Sequence, residues 1–434
     1  MKFLSRTIPP FLLATAISFT LIPSVAMASL AEGVAAYKKG DYVMAFNEFK
    51  QAATQGDAKA QNNLGLMHAN GQGTAQDYKE ASRLYGLAAA QGYAKAQNNL
   101  GNAYFNGQGL GQDYREASRL YGLAVAQGYA DAQYNLGVMY ANGQGVAKDH
   151  KEAVRLYGLA AAQGVATAQA NLGSMYSNGQ GVAQDYKEAA RLYVLAAAQG
   201  DVNAQFNLGA MYDNGQGVAQ DYKEAARLYG LAAAQEYAAA QYNLGSMYTN
   251  GQGVAQDYKE AARLYVLAAA QGDVNAQFNL GAMYDNGQGV AQDYKEAARL
   301  YGLAAVQGYA AAQYNLGVMY ANGQGVAQDY KEAVRLYGLA AAQGVATALS
   351  NLGVMYANGQ GVAQRNVVAY ALYNLSATVE PSSKNNATNN RTILAKEMSI
   401  AQIEAAKALT KEITKPGNLL KAIEKYLGKT NGEK

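Results

Sequence analysis

The 434-residue chain contains no cysteine and only two histidines, His68 and His150. Without thiols it forms no disulfides, so its stability has to come from packing alone. The same shortage excludes a zinc or haem site, because two histidines in separate stretches of chain cannot complete a ligand set without thiolates. A hydrolase would need a positioned nucleophile and base, and the chain offers no cysteine and only two histidines for those roles. Charge of one sign is missing as well. There are 35 Lys and Arg against 32 Asp and Glu, and setting aside Lys2 and Arg6 (35 − 2) leaves 33 against 32, with no basic block. Binding to nucleic acid or to an anionic membrane surface is therefore not expected.

Long hydrophobic runs are absent beyond the first residues. At the start, Lys2 and Arg6 precede an apolar stretch from Phe11 to Val25 that closes on Ala26-Met27-Ala28, a small-x-small cleavage pattern. Residues 1–28 read as a signal peptide, which predicts a periplasmic or secreted product with no membrane insertion after the leader is removed. An uncleaved anchor is the alternative, and Pro23 together with the shortness of the run speaks against it.

What is present is a repeat of 36 residues. The triplet Asn-Leu-Gly recurs with its glycine at 65, 101, 137, 173, 209, 245, 281, 317 and 353, and residues 178–233 are identical to 250–305. Such a period marks a linear array of supersecondary units. In the unit 129–164, Ala132, Leu136, Met139 and Tyr140 make one helical stripe, and Ala153, Leu156, Tyr157 and Ala160 make a second. Between them the glycines of Asn-Gly-Gln-Gly supply the positive φ of a tight turn. Asp149 with Glu152 predicts a capping box, a pair found in eight of the nine units. Gly164 ends the second helix. The glycine of Asn-Leu-Gly costs about 1 kcal/mol against alanine inside a helix, so close helix packing must offset it. A bulkier residue there should force the helices apart.

The spacing Ala-x-x-x-Leu-Gly-x-x-Tyr, then Gly-x-Gly-Val, Asp-x-x-x-Ala and Tyr-x-x-Ala-Ala resembles the Sel1-like repeat, a relative of the tetratricopeptide repeat. The resemblance implies an all-α fold, an α-α superhelical solenoid of helix-turn-helix repeats with helical caps. The expected organisation is a signal peptide (1–28), an N-terminal partial repeat or cap (29–56), nine repeats (57–380) and C-terminal capping helices (381–434). Asp41, Ala45, Phe49, Ala52 and Ala53 occupy second-helix positions in the N-terminal cap. At the other end Arg365 and Val368 replace the Asp and Glu of the capping pair, and Pro381 to Asn390 reads as a loop. Ser399 with Gln402 starts a helix, and Leu419, Leu420, Ile423 and Leu427 form a last stripe ended by Gly428. These helices either cap the array or form a separate docking element.

The remaining motifs have structural readings. His68 and His150 stand where other units carry tyrosine, and the Asn-Gly-Gln-Gly loops lack the lysine and preceding strand of a phosphate-binding loop. Asp77 with Glu80 is a pair repeated at the second-helix start of eight units, whereas a catalytic pair would be singular. Asn63 and Gln61, nearly invariant through the units, are expected to bond backbone between repeats. Glu236 stands where seven units have glycine, which predicts a strained junction.

Positions that vary between otherwise similar units point to function. The column starting at Asn62, with those at 66 and 69, lies opposite the buried stripe. The resemblance places first helices on the concave face, where Tyr134, Phe206, Tyr242, Phe278 and Tyr314 would either grip a partner or pack on the neighbouring repeat. The expected function is an exported scaffold or adaptor that binds a protein or extended peptide, with no catalytic residue, cofactor or metal. A cell-envelope structural protein binding peptidoglycan is the alternative. A β-lactamase-like hydrolase, suggested by cysteine-rich Sel1-like proteins, fits less well because the cysteines are missing.

Overall fold

The computed structural model describes residues 22–381 and 386–431. Among the described residues there are 23 helices and no strand. The pairs are α1 (Ile22–Lys38) with α2 (Tyr42–Thr54), α3 (Ala58–Asn70) with α4 (Tyr78–Ala90), α5 (Ala94–Asn106) with α6 (Tyr114–Ala126), α7 (Ala130–Asn142) with α8 (His150–Ala162), and α9 (Ala166–Asn178) with α10 (Tyr186–Ala198). They continue as α11 (Val202–Asn214) with α12 (Tyr222–Ala234), α13 (Ala238–Asn250) with α14 (Tyr258–Ala270), α15 (Val274–Asn286) with α16 (Tyr294–Val306), α17 (Ala310–Asn322) with α18 (Tyr330–Ala342), and α19 (Ala346–Asn358) with α20 (Asn366–Val379). Three helices follow: α21 (Ala387–Ala395), α22 (Ile400–Ile413) and α23 (Leu419–Asn431). The chain divides into two compact units. One runs to Ala204 and includes Gln216–Val218; the other comprises Gln205–Gly215 and the chain from Ala219. Each is an α-α solenoid.

The pair α7 and α8 shows why the sequence folds this way. Ala132, Leu136 and Met139 are buried on α7, and Ala153, Leu156, Tyr157 and Ala160 on α8, while Tyr140 is half-buried. The Tyr157 ring lies on Gly137, so that a Cβ there would come 2.8 Å from the ring. Nine helical glycines thus act as seats for a second-helix ring, which offsets their poor helix propensity. Gly143 and Gly145 have φ of +73° and +70°. Gly145 also sits against the Tyr114 carbonyl at the start of α6, where a Cβ would overlap it. The loop is therefore a joint to the preceding repeat as well as a turn.

The capping differs from expectation in its second half. Asp149 Oδ1 accepts from the amides of Lys151 and Glu152, as a good N-cap does. Glu152 does not reach back, because it forms a two-pronged ion pair with Arg155 at 2.6 and 2.8 Å. The Asp149 amide instead donates to the Tyr140 carbonyl at the end of α7. Only Ser399 with Gln402, on α22, closes the full box among the described residues.

A glutamine clasp ties the two helices of a repeat to each other and to the next repeat. Gln163 Nε2, just past α8, donates to buried Gln133 Oε1 at 2.8 Å, and Gln169 Nε2 on α9 donates to the Ala161 carbonyl at 3.2 Å. The Gln-to-Gln bond recurs eight times. In the last repeat both partners become apolar together, as Leu349 and Val379. The Asn63 column joins repeats through side chains, not through backbone. Asn99 Nδ2 donates to Asn62 Oδ1 at 2.8 Å, and Asn171, Asn243, Asn315 and Asn351 bond the tyrosine hydroxyl of the preceding repeat. Glu236 has φ +62°, alone among the described non-glycine residues in being positive. That is a left-handed backbone with a side chain to accommodate, hence a strained junction.

The expected leader, residues 1–28, lies outside the described residues as far as Leu21, and Ile22–Ala28 form the start of α1. In α1, Ser29 Oγ donates to the Glu48 carbonyl at 2.8 Å, and Gly33 seats the Phe49 ring of α2. At the other end, two readings are corrected. Ala387 to Asn390 belong to α21 and not to a loop, and Ser382–Lys384 and Asn385 lie outside the described residues. Gly428 does not end α23, which continues to Asn431, because a single glycine in a last turn costs too little to stop a helix already packed upstream. Leu409 and Ile413 of α22 and Leu419 and Ile423 of α23 share one core with Leu352, Leu372 and Leu375.

Candidate partner-binding stripe

The columns at 62, 66 and 69 lie on first helices, and the structure separates the aromatic candidates by unit. In the first unit Asn62, Asn98 and Ala170 are buried, and Tyr134 on α7 is the one half-buried aromatic of the column. In the second unit Phe206, Tyr242, Phe278 and Tyr314 fall on four consecutive first helices, α11, α13, α15 and α17, and all are half-buried. Tyr134 thus belongs to one unit and the run of four to the other.

Each candidate ring leans on a tyrosine of its own second helix. The ring centroids of Tyr134 and Tyr157 are 5.9 Å apart, those of Phe206 and Tyr229 5.7 Å, Tyr242 and Tyr265 5.9 Å, Phe278 and Tyr301 5.7 Å, and Tyr314 and Tyr337 5.9 Å. Phe206 and Phe278 also contact Tyr237 and Tyr309 at 5.1 and 5.0 Å. Tilted pairs at these distances hold a ring in place from behind. The supporting tyrosines are the same ones that sit on the helical glycines. Their invariance is the sequence signal for this second layer.

A polar edge runs beside the rings in the second unit. Asp213 bonds the Tyr229 hydroxyl, Tyr301 donates to Asp285 Oδ2 at 3.5 Å, and Thr249 stands 3.2 Å from the Tyr265 hydroxyl. Burial raises the Asp213 carboxyl above its ordinary range, and the bond from Tyr229 opposes this only in part. Burial pushes the Tyr229 hydroxyl up to about 12, with Asp213 adding to the effect. A phenol held so firmly protonated is a hydrogen-bond donor at neutral pH and no nucleophile. The geometry suits binding: apolar ring faces bordered by hydroxyl, amide and carboxylate groups. Among the described residues no three His, Cys, Asp or Glu side chains gather as a metal site would require. None of the described helices is long and apolar enough to cross a membrane.

The Sel1 repeat model matches nine consecutive segments, residues 58–93, 94–129, 130–165, 166–201, 202–237, 238–273, 274–309, 310–345 and 346–378. The chain belongs to the Sel1 repeat family. Among solved structures, this Sel1 repeat protein is similar to c5321, a protective antigen present in uropathogenic Escherichia coli strains displaying an SLR fold. The two share 33% identity over 94% of this chain and 86% of the other, with a TM-score of 0.77. It is also similar to a Sel1 repeat protein from Oxalobacter formigenes, with 32% identity over 79% of this chain and 95% of that one, and a TM-score of 0.53. No curated protein matches the sequence. Sel1 repeat proteins are in general non-catalytic scaffolds that bind other proteins, and this chain has their solenoid fold.

Proposed function

We propose that the protein is an exported scaffold that holds a protein partner along the first-helix face of its second unit, the side that the family resemblance makes concave. The observation that carries this reading is the run Phe206, Tyr242, Phe278 and Tyr314. These are four half-buried rings on consecutive first helices, each fixed by a tyrosine behind it. Rigid aromatic surface with a polar border is the composition of an interface core, because little side-chain entropy is lost when it is covered. An extended segment with apolar side chains suits the ring faces, and Asp213 and Asp285 favour neutral or basic groups beside them. Tyr134 contributes separately.

Two things support export. The first residues have the charge, apolar run and small-x-small end of a leader, and the similar protein from uropathogenic Escherichia coli is described as a protective antigen. The reading is tested in intact cells with a photoreactive residue at Tyr242 and, as control, at Val306, which is 90% exposed on α16. One discrete protein captured from position 242 and not from 306 is the expected result. Cell-wall fragments, or equal capture from both sites, would overturn it in favour of a structural role in the envelope. Amino-terminal sequencing of the periplasmic product should begin at Ser29; a full-length chain in the cytoplasm would refute export.

A further inference from the structure

The second helices carry a groove of their own on the face away from the rings. At the C-terminal end this groove lies between α18 and α20 and is filled by α23. Leu420 reaches within 3.2 Å of the Cβ position of Gly338, Glu424 lies near Tyr356, and Tyr426 lies near Arg365. Leu419 and Ile423 join the core beneath, and Leu375 is only 8% exposed.

Eight repeats earlier, the same positions line an open groove of about 650 Å³ between α2 and α4. Gly338 corresponds to Lys50, Tyr356 to His68 and Leu375 to Leu87, by eight steps of 36 residues. There Leu87 is 43% exposed, and His68 Nδ1, itself shielded from solvent, has no hydrogen-bond partner among the described residues. Replacing the usual tyrosine by the smaller imidazole leaves room over Leu64.

The charge of the groove also differs from its C-terminal counterpart. Glu80 is taken up by Arg83 at 2.6 and 2.8 Å, where the C-terminal groove has Val368 and Ala371. That leaves Lys50, which has no ion-pair partner among the described residues, as the uncompensated charge on the rim. In the repeats between, its equivalents are Gly or Val, so the lysine is particular to this groove.

We infer that the groove between α2 and α4 binds an amphipathic helix of a partner protein in the way the C-terminal groove holds α23, with an apolar stripe over Leu64 and Leu87 and a carboxylate meeting Lys50. Such helix-in-groove docking is read out by residues at i, i+3 and i+4 on one face, the pattern of Leu419, Leu420, Ile423 and Leu427.

The test uses two labelled peptides added to the full chain and read by fluorescence anisotropy. One has the sequence of residues 417–431. The other carries Lys421→Glu, Lys425→Glu and Lys429→Glu, which keeps the apolar stripe and reverses its border. The acidic peptide should bind the wild type about tenfold more tightly than the basic one. Lys50→Glu should invert that order, and Leu87→Ala should weaken both by about tenfold. Both substituted side chains are exposed enough for the variants to fold, which far-UV circular dichroism checks. Peptide binding indifferent to Lys50→Glu would mean the peptide merely competes at the α18–α20 groove, and would overturn the inference. A concentration-dependent dimer abolished by Leu87→Glu would assign the groove to a second copy and overturn it equally.

Discussion

Replacing Gln343 by Val and Gln313 by Leu, singly and together, measures the glutamine clasp. Gln343 Nε2 donates to Gln313 Oε1 at 2.9 Å, and Gln313 Nε2 donates to the Ala305 carbonyl at 3.1 Å. Gln313 is 4% exposed, so its oxygen has no water to turn to when the donor is lost, whereas Gln343 is exposed and rehydrates freely. A buried acceptor left unsatisfied costs about 1–3 kcal/mol. Gln343→Val should therefore raise the local opening equilibrium about 5- to 150-fold. Gln313→Leu removes both bonds, each about 1 kcal/mol, and buries an apolar side chain worth about as much in return. The double variant copies Leu349 with Val379. It should be no less stable than Gln313→Leu alone, with a favourable coupling of about 1–3 kcal/mol. Native-state hydrogen exchange of the α17 and α18 amides gives the three values locally, with urea unfolding as a global check. A silent Gln343→Val, or a double variant as unstable as the sum of its singles, would refute the reasoning.

Gly137→Ala should destabilise by about 1–3 kcal/mol in urea titration, because overpacking against the Tyr157 ring outweighs the gain in helix propensity. Adding Tyr157→Leu should remove most of that penalty. Glu236→Gly should stabilise by about 1 kcal/mol and slow amide exchange near Tyr237, because glycine occupies φ +62° without strain. Asp213→Asn should raise the melting temperature at pH 7. The folded-state carboxyl titrates above its unfolded value near 3.8, so the wild type loses stability as pH rises through that interval, and the advantage of asparagine should vanish below it. An advantage that persists at low pH would refute the burial argument.

The helix pairs were legible because their stripes, turns and caps repeat nine times in agreement. Ala132, Leu136 and Met139 repeat at one spacing, Ala153, Leu156 and Ala160 at another, and each copy reinforces the reading of the next. What repetition could not reveal was the partner of a repeated group. Glu152 has the spacing for a capping box, but Arg155 lies within reach on the same helix face and its charge wins. The Asn63 column signalled a bond between repeats, yet it chose tyrosine hydroxyls that lie on another helix and far back in sequence. The candidate stripe was legible as a column of aromatics. Its break between Tyr134 and Phe206 was legible too, as Ala170 in the same column, whereas the boundary between the compact units was not, because nothing in a uniform period marks where one ends. The support of each ring by a second tyrosine is likewise a matter of three-dimensional register.

The clasps reach no further than the adjoining repeat, from Gln163 to Gln133 within one repeat and from Gln169 back to Ala161 in the one before, and this bears on how the gene can change. Residues 178–233 are identical to 250–305, so an exchange between misaligned copies that removes residues 201–272 joins Gly200 to Asp273, the same Gly-Asp step that already stands at both places. The shortened product contains no seam its parent lacks. Natural variants of this protein with seven or eleven repeats would therefore arise in a single event and inherit ready-made joints, which makes length itself a heritable trait on which selection can act.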